Sequence, residues 1–354
     1  MPLLTYNVND NATQVLAAKK VKENIFVDLV HKNGYGVNET EEINASAIRF
    51  FKTVQTTASA RQLGKTTSST KNGAFFGESP AEIPQVIEYD LDLLYVYDQI
   101  YDLPEVQQDM VAISVFDTAT KNIGGRIATE INASTIAKQL AVKYNATVDS
   151  KETDAAKIWA GIGIVLDSTS PDYYGAIQEA STMLDDGDEA NGIQAFPFEE
   201  REILMRAAYR KNLLSTKGVL IGGSNYAQSM LAKGSVSPEA RKEFGNMYCG
   251  EIDLIPCYIV PSAIWKRAGA WAGAETAFDA TQAVVLAASG TDRGISPQDY
   301  IKVIDAPLGA GKRLQPKVRW GINVCYDKAI VPILASSVTK PSEALTIIAP
   351  GSKA

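Results

Sequence analysis

Residues 56–73, Thr-Thr-Ala-Ser-Ala-Arg-Gln-Leu-Gly-Lys-Thr-Thr-Ser-Ser-Thr-Lys-Asn-Gly, decide how the chain is read, because Leu63 is the one large apolar residue among them. Before them, Ile48-Arg49-Phe50-Phe51-Lys52-Thr53-Val54 reads as a strand. After Phe75 and Phe76 the chain returns with period two: Ile87, Tyr89, Leu91, Leu93, Tyr95 and Tyr97 face one way, and Glu88, Asp90 and Asp92 the other. Two long strands thus carry a Thr/Ser-rich tip with too little apolar surface to bury against its own domain. Two readings stay open for that tip: a disordered surface loop, or an extension that seats on another molecule.

On the N-terminal side, residues 1–44 are mostly polar. One amphipathic helix is expected from Thr13 to Val30, with Val15, Leu16, Ile25, Phe26 and Leu29 as a broken apolar stripe and Gly34 as its cap. Such an arm has no core of its own, and the expectation is that it needs a neighbour to lie on. On the other side, Asp102-Leu103-Pro104-Glu105 is a helix-start signature. The pattern of Ile123, Ile127, Ile131, Ile136 and Leu140 then predicts a helix over 106–144, a rod of roughly 50 Å or more at about 1.5 Å per residue. Gly124-Gly125 in its middle implies a bend or close packing.

From Lys157 to Asp299 the pattern is mixed α/β. A helix is expected from Glu199 to Leu214, with Glu199, Glu200 and Glu202 at its start and Arg206, Arg210 and Lys211 in its second half, matching the macrodipole. Strand-like runs stand at 218–221, at 252–261 and at 283–288. Val318, Trp320, Ile322, Val324 and Tyr326 alternate, and a turn at Asp327-Lys328 leads into Ala329–Leu334, which together predict a terminal hairpin followed by a loose tail from Ser336.

Composition bounds the function. The 354 residues carry a net charge of −7, which argues against a dedicated grip on nucleic acid. Cys249, Cys257 and Cys325 are too few for a disulfide framework and fit a reducing cytoplasm. No signal peptide is readable, and no stretch approaches the roughly 18 apolar residues of a membrane span.

The order of these parts resembles the Hong Kong 97-like fold of tailed-bacteriophage major capsid proteins. Gly250 to Pro261 is similar to that family's passage of glycine, small turn, Pro, apolar strand and Pro in its axial domain, and Lys317 to Leu334 resembles its closing hairpin. The resemblance implies an α+β capsid fold: N-arm 1–44, extended loop (E-loop) hairpin and peripheral strands 45–100, peripheral domain with spine helix 101–158, axial domain 159–305, and a return to the peripheral sheet with a C-terminal tail over 306–354. It implies a structural protein and not an enzyme, assembling with copies of itself as hexamers and pentamers into an icosahedral shell around double-stranded DNA. It implies a virion protein assembled in the host cytoplasm, with a portal, a separately encoded scaffolding protein (the arm begins at Met1 with no scaffold-like domain before it) and a possible decoration protein as partners. No cofactor, metal or membrane is expected. The inter-subunit contacts are expected from the loop: Arg61, Leu63, Lys65, Thr66, Thr67, Lys71, Phe75 and Phe76. Lys65 and Lys71 supply a donor for the Lys–Asn cross-link that some members form, but the matching Asn and Glu are not identifiable. A bacterial encapsulin-like nanocompartment shell is the alternative within this fold, and an α/β hydrolase or ligand-binding protein the alternative outside it.

The enzyme motifs fail on their own terms. Leu308-Gly309-Ala310-Gly311-Lys312-Arg313 has Ala306 where a phosphate loop needs Gly and Arg313 where it needs Ser or Thr. Gly161-Ile162-Gly163-Ile164-Val165 lacks the third glycine of a dinucleotide fingerprint, and Tyr226 spoils a nucleophile elbow at Ser224. A single histidine, His31, excludes multi-His metal sites. Cys249 and Cys257 read as small core residues. Asp185-Asp186-Gly187-Asp188-Glu189 lacks the spacing of a calcium loop and reads as a solvated acidic loop.

Overall fold

The structure, a computed structural model, describes residues 20–21, 23–24, 29, 37–39, 47–53, 84–90, 93–96, 99–101, 108–145, 159, 162–188, 193–215, 245–297, 302–305, 312–337 and 343–347. In chain order the strands β1 (Val37–Glu39), β2 (Ala47–Thr53), β3 (Pro84–Asp90), β4 (Leu93–Val96) and β5 (Gln99–Tyr101) precede the long helix α1 (Gln108–Asn145). Then come β6 (Ile162–Leu166), α2 (Tyr173–Asp185), β7 (Arg201–Met205) and α3 (Ala207–Ser215). The hairpin strands β8 (Tyr248–Ile252) and β9 (Ile255–Ile259) lead to α4 (Ser262–Ala272) and α5 (Glu275–Asp279). The chain closes with β10 (Thr281–Ala287), β11 (Thr291–Pro297), β12 (Lys302–Asp305), β13 (Lys312–Gln315), β14 (Lys317–Val324), β15 (Ile330–Leu334) and β16 (Glu343–Ile347).

The centre is a seven-stranded sheet in the order β16-β6-β15-β10-β7-β9-β8. Its inner strands are runs of apolar residues because both faces are covered. Ile203 and Met205 of β7, Val285 of β10 and Ile333 of β15 point into a core with α2 and α3, where Ile177, Leu184 and Tyr209 are buried. Leu204, Val284, Leu286 and Ile330 point the other way, onto Ile136 and Leu140 of α1, Trp265 of α4 and Phe278 of α5. Each such fully buried aliphatic side chain stabilises the fold by about 1.5–3 kcal/mol. Pro332 sits inside β15 beside Gly163 of β6, where a Cβ would make ordinary van der Waals contact with the Pro332 ring at 3.5 Å from Cγ.

The helix predicted over 106–144 is present as α1, 38 residues without a break through Gly124-Gly125. Ile123, Ile127, Ile131, Ile136 and Leu140 are all buried, as the spacing requires. Its seam to the smaller sheet β1-β11-β14-β4 is polar: Trp320 Nε1 donates to Ser134 Oγ at 2.9 Å, and Gln139 Nε2 to Thr291 Oγ1 at 3.3 Å.

Several expectations are corrected. The helix expected over Glu199–Leu214 is a 3₁₀ turn at Phe198–Glu200, then strand β7, and only then α3. The charge gradient suited a helix dipole, but Ile203-Leu204-Met205 fills an inner sheet position that is buried on both faces, and that burial outweighs the local preference. The run at 252–261 is not one strand: it holds the last residue of β8, a turn at Asp253-Leu254, both at positive φ, and then β9. The hairpin expected at 318–334 does not pair: β14 lies between β11 and β4, and β15 lies between β10 and β6. The tail expected to be loose supplies β16, parallel to β6.

Strands from the stretch 306–354 join three sheets: β13 pairs β12 and β5, β14 pairs β11 and β4, and β15 and β16 lie in the central sheet. The alternating run at 87–97 is also divided, since β3 pairs β2 and β4 pairs β14. Alternation reports which way side chains point and is blind to which strand supplies the hydrogen bonds.

The arm, expected to need a neighbour, lies partly on its own chain. Val21 and Leu29 are buried, and β1 adds in parallel to Arg293–Ile295 of β11. Lys20, Glu23 and Asn24 share a hollow with Thr120 and Lys121 of α1. Leu29 itself is not helical, although the expected helix ran to Val30.

Candidate functional site

The base of the predicted contact loop is the two-stranded ribbon β2–β3, in the register Ala47↔Asp90 to Thr53↔Pro84. Residues 54–83 leave and re-enter at its far end. Arg61, Leu63, Lys65, Thr66, Thr67, Lys71, Phe75 and Phe76 fall in that stretch and lie outside the described residues, as does His31.

Within the described residues, two of the three exposed large apolar side chains stand at one end of the central sheet. β7 and β9 run parallel in the register Ile203↔Cys257, so both strands start from the same end of the sheet. Leu254 precedes β9 and is 76% exposed; Phe198 precedes β7 and is 43% exposed. Leu254 has φ +67 and Asp253 φ +50, the pair of left-handed conformations a two-residue hairpin turn demands, and one that Leu adopts only under strain.

Helix α2 holds both features with one stripe, Tyr174, Gln178, Ser181 and Asp185, spaced to share a face. Tyr174 Oη donates to the Asp253 carboxylate at 2.7 Å and Gln178 Nε2 adds a contact at 3.4 Å. Burial and the adjacent Asp253 push the Tyr174 hydroxyl well above its ordinary range, so it remains a donor. Arg201, itself buried, donates to Ser181 Oγ at 2.7 Å, Ser181 O at 2.9 Å, Phe196 O at 2.9 Å and the Asp185 carboxylate. Its guanidinium also lies over the Phe198 ring, 5.3 Å from the centroid.

A second exposed aromatic, Trp271 at 40%, stands on α4. Its Nε1 donates to Glu130 of α1 at 3.1 Å, and Arg267 Nε donates to the same carboxylate at 3.0 Å. Sequence reading missed Phe198, Leu254 and Trp271. The turn-former Asp253 between Ile252 and Ile255 was the available signal for the first hairpin residue; nothing marked Phe198 or Trp271.

The acidic loop is not simply solvated. Asp188 is buried, 3.7 Å from Lys328, and Asp185 is bound to Arg201. Among the described residues no group of three or more His, Cys, Asp or Glu side chains is placed to hold a metal ion, and no helix is long and apolar enough to cross a membrane. Gly163 lies inside strand β6 and not at a phosphate-binding turn. Cys249 and Cys257 are buried core residues; burial pushes the Cys249 thiol up to about 12 and the Cys257 thiol well above its ordinary value. Neither offers a thiolate nucleophile at neutral pH.

No protein-family model matches the chain, and no curated protein matches it in sequence. Solved structures do match. Against the capsid of Ralstonia phage GP4 the TM-score is 0.53 over 86% of this chain and 90% of that one, at 10% identity. Against the mature capsid of bacteriophage PhiM1 it is 0.48, covering 86% of each chain at 10% identity. A virus-like particle from Pyrococcus furiosus aligns at 0.46 over 90% of this chain and 97% of that one, at 9% identity. The likeness to the GP4 capsid establishes the fold: the chain has the α+β, Hong Kong 97-like architecture expected from its order of parts.

Proposed function

We propose that the chain is the major capsid (head) protein of a tailed bacteriophage, self-assembling as hexamers and pentamers into the icosahedral shell that encloses double-stranded DNA. The observation that carries this reading is the likeness to the GP4 phage capsid, at a TM-score of 0.53 over 90% of that chain. The physics agrees with a tile. A sheet covered on both faces is a stable centre for such a tile, and the ribbon β2–β3 carries the polar stretch 54–83 between its strands. The net charge of −7 suits a wall that encloses DNA without reading it.

In this reading the role is structural and no covalent chemistry is asked of the chain. Arg61, Leu63, Lys65, Thr66, Thr67, Lys71, Phe75 and Phe76 contact the neighbouring subunit, with the hydroxyls of the loop supplying hydrogen bonds across it. The partners are copies of the chain, a separate scaffolding protein, a portal and a decoration protein; the protein resides in the virion after assembly in the host cytoplasm.

The test is expression alone and with the neighbouring phage genes, followed by negative-stain microscopy and nuclease protection of enclosed DNA. Closed shells of uniform size are expected. A chain that stays monomeric under every assembly condition would sink the proposal. Closed particles that load protein cargo and no DNA would instead identify a nanocompartment shell.

A further inference from the structure

The exposed large apolar side chains of the described residues, Phe198, Leu254 and Trp271, are sorted by charge. Phe198 and Leu254 stand at one end of the central sheet among exposed acids: Asp185, Asp186, Glu199 and Asp253. Trp271 stands on the outer face of α4, where Ala263, Lys266, Arg267 and Ala270 are also exposed, at the three- and four-residue spacing of one helix face. Glu130 engages Arg267, and Lys266 adds a further positive charge to that face. Glu275, at the start of α5, is the nearest exposed acid in sequence beyond it.

The two surfaces belong to elements on opposite faces of the central sheet. α4 follows β9 after Val260-Pro261, so it begins at the end of the strand opposite Leu254, and through Ile264, Trp265 and Ala268 it packs on the sheet face opposite α2. The acid-rimmed patch cannot pair with itself about a two-fold axis without setting carboxylates against carboxylates. It is complementary to the α4 face.

We propose that the Phe198/Leu254 patch of one copy docks on the Lys266/Arg267/Trp271 face of α4 in the next. Because the paired surfaces differ, the contact is head-to-tail and propagates around a ring. This inference rests on the shell reading and names one contact within it. Two side chains against a helix face fall well short of the roughly 1,200 Å² of a specific stable pair. The contact therefore holds copies together only as one of several. The strained turn has a role here: Asp253, bound by Tyr174 and Gln178, fixes the turn that leaves Leu254 outside its own core.

The full-length double variant Leu254→Cys/Ala270→Cys, assembled under reducing conditions and then oxidised with copper phenanthroline, tests this directly. A ladder of disulfide-linked chains on a non-reducing gel is expected, absent from either single variant. As a second measurement, Glu199→Lys and Lys266→Glu are each expected to raise the assembly threshold about tenfold, and the two together to recover to within about threefold of wild type, with unchanged thermal midpoints. Particles that form without a ladder overturn the contact while leaving the shell reading intact. A wild-type chain that forms no particles overturns the shell reading and this contact with it.

Discussion

The central seven-stranded sheet and the β2–β3 ribbon are both made of apolar-rich strands, but they differ in how many partners each strand has. In the sheet, Ile203-Leu204-Met205 and Ile330–Leu334 are apolar without alternation, because helices lie on both faces. In the ribbon, Phe50↔Ile87 is followed by Arg49↔Glu88, and among the described residues the two strands pair with each other alone. A lone two-stranded hairpin is marginal in water. In the proposed shell reading, stability and assembly fall to different parts of one chain, so each is expected to be lost without the other.

Deleting residues 60–74 should break that separation most sharply if it is false. The expected outcome is a subunit with unchanged circular dichroism and thermal midpoint that forms no closed shells by sedimentation or microscopy. Intact shells would remove the loop from the assembly mechanism. Trp265→Ala is the converse. It empties a fully buried site and removes the ring beneath the Arg206 guanidinium, 5.0 Å away, and should cost about 3–5 kcal/mol in urea unfolding with an unchanged slope.

A smaller effect sharpens how dry the sheet is. The Cys249 thiol is raised from its ordinary value near 9 to about 12 by burial, so its neutral form belongs to the folded state. Its contribution to stability is complete below pH 9 and lost as pH rises from 9 toward about 12, where the unfolded thiol ionises first. Cys249→Ala should flatten that alkaline decline in part, leaving the share of the buried tyrosines such as Tyr209, which burial also raises. The smallest expected effect is at the turn. Leu254→Asn suits a left-handed φ and should leave stability unchanged or raise it by up to ~1 kcal/mol, measured by thermal unfolding.

Much of the fold was readable because its signals are periodic. The buried stripe of α1 is set by Ile123, Ile127 and Ile131 falling on one side at 3.6 residues per turn, whatever packs against it. The strand β2 and the return through Ile87 and Tyr89 are likewise written in their alternation. The errors share one cause. Glu199–Leu214 had helical charges but an apolar centre that an inner sheet position claimed, and β14 and β15 looked like a hairpin yet joined different sheets. Of the candidate site, the sequence pointed to the loop by its lack of apolar residues, but not to Leu254, Phe198 or Trp271, whose exposure depends on what the rest of the chain leaves uncovered.

The sequence by itself determined which residues avoid water and with what period, hence the long helix, the strands and a polar loop without a core. Only the tertiary structure decided strand partners, the pairing of β1 with β11 and the surfaces left open among the described residues. Side-chain period is a local property of the backbone, whereas hydrogen-bond partners and exposure are settled by competition among segments distant in sequence.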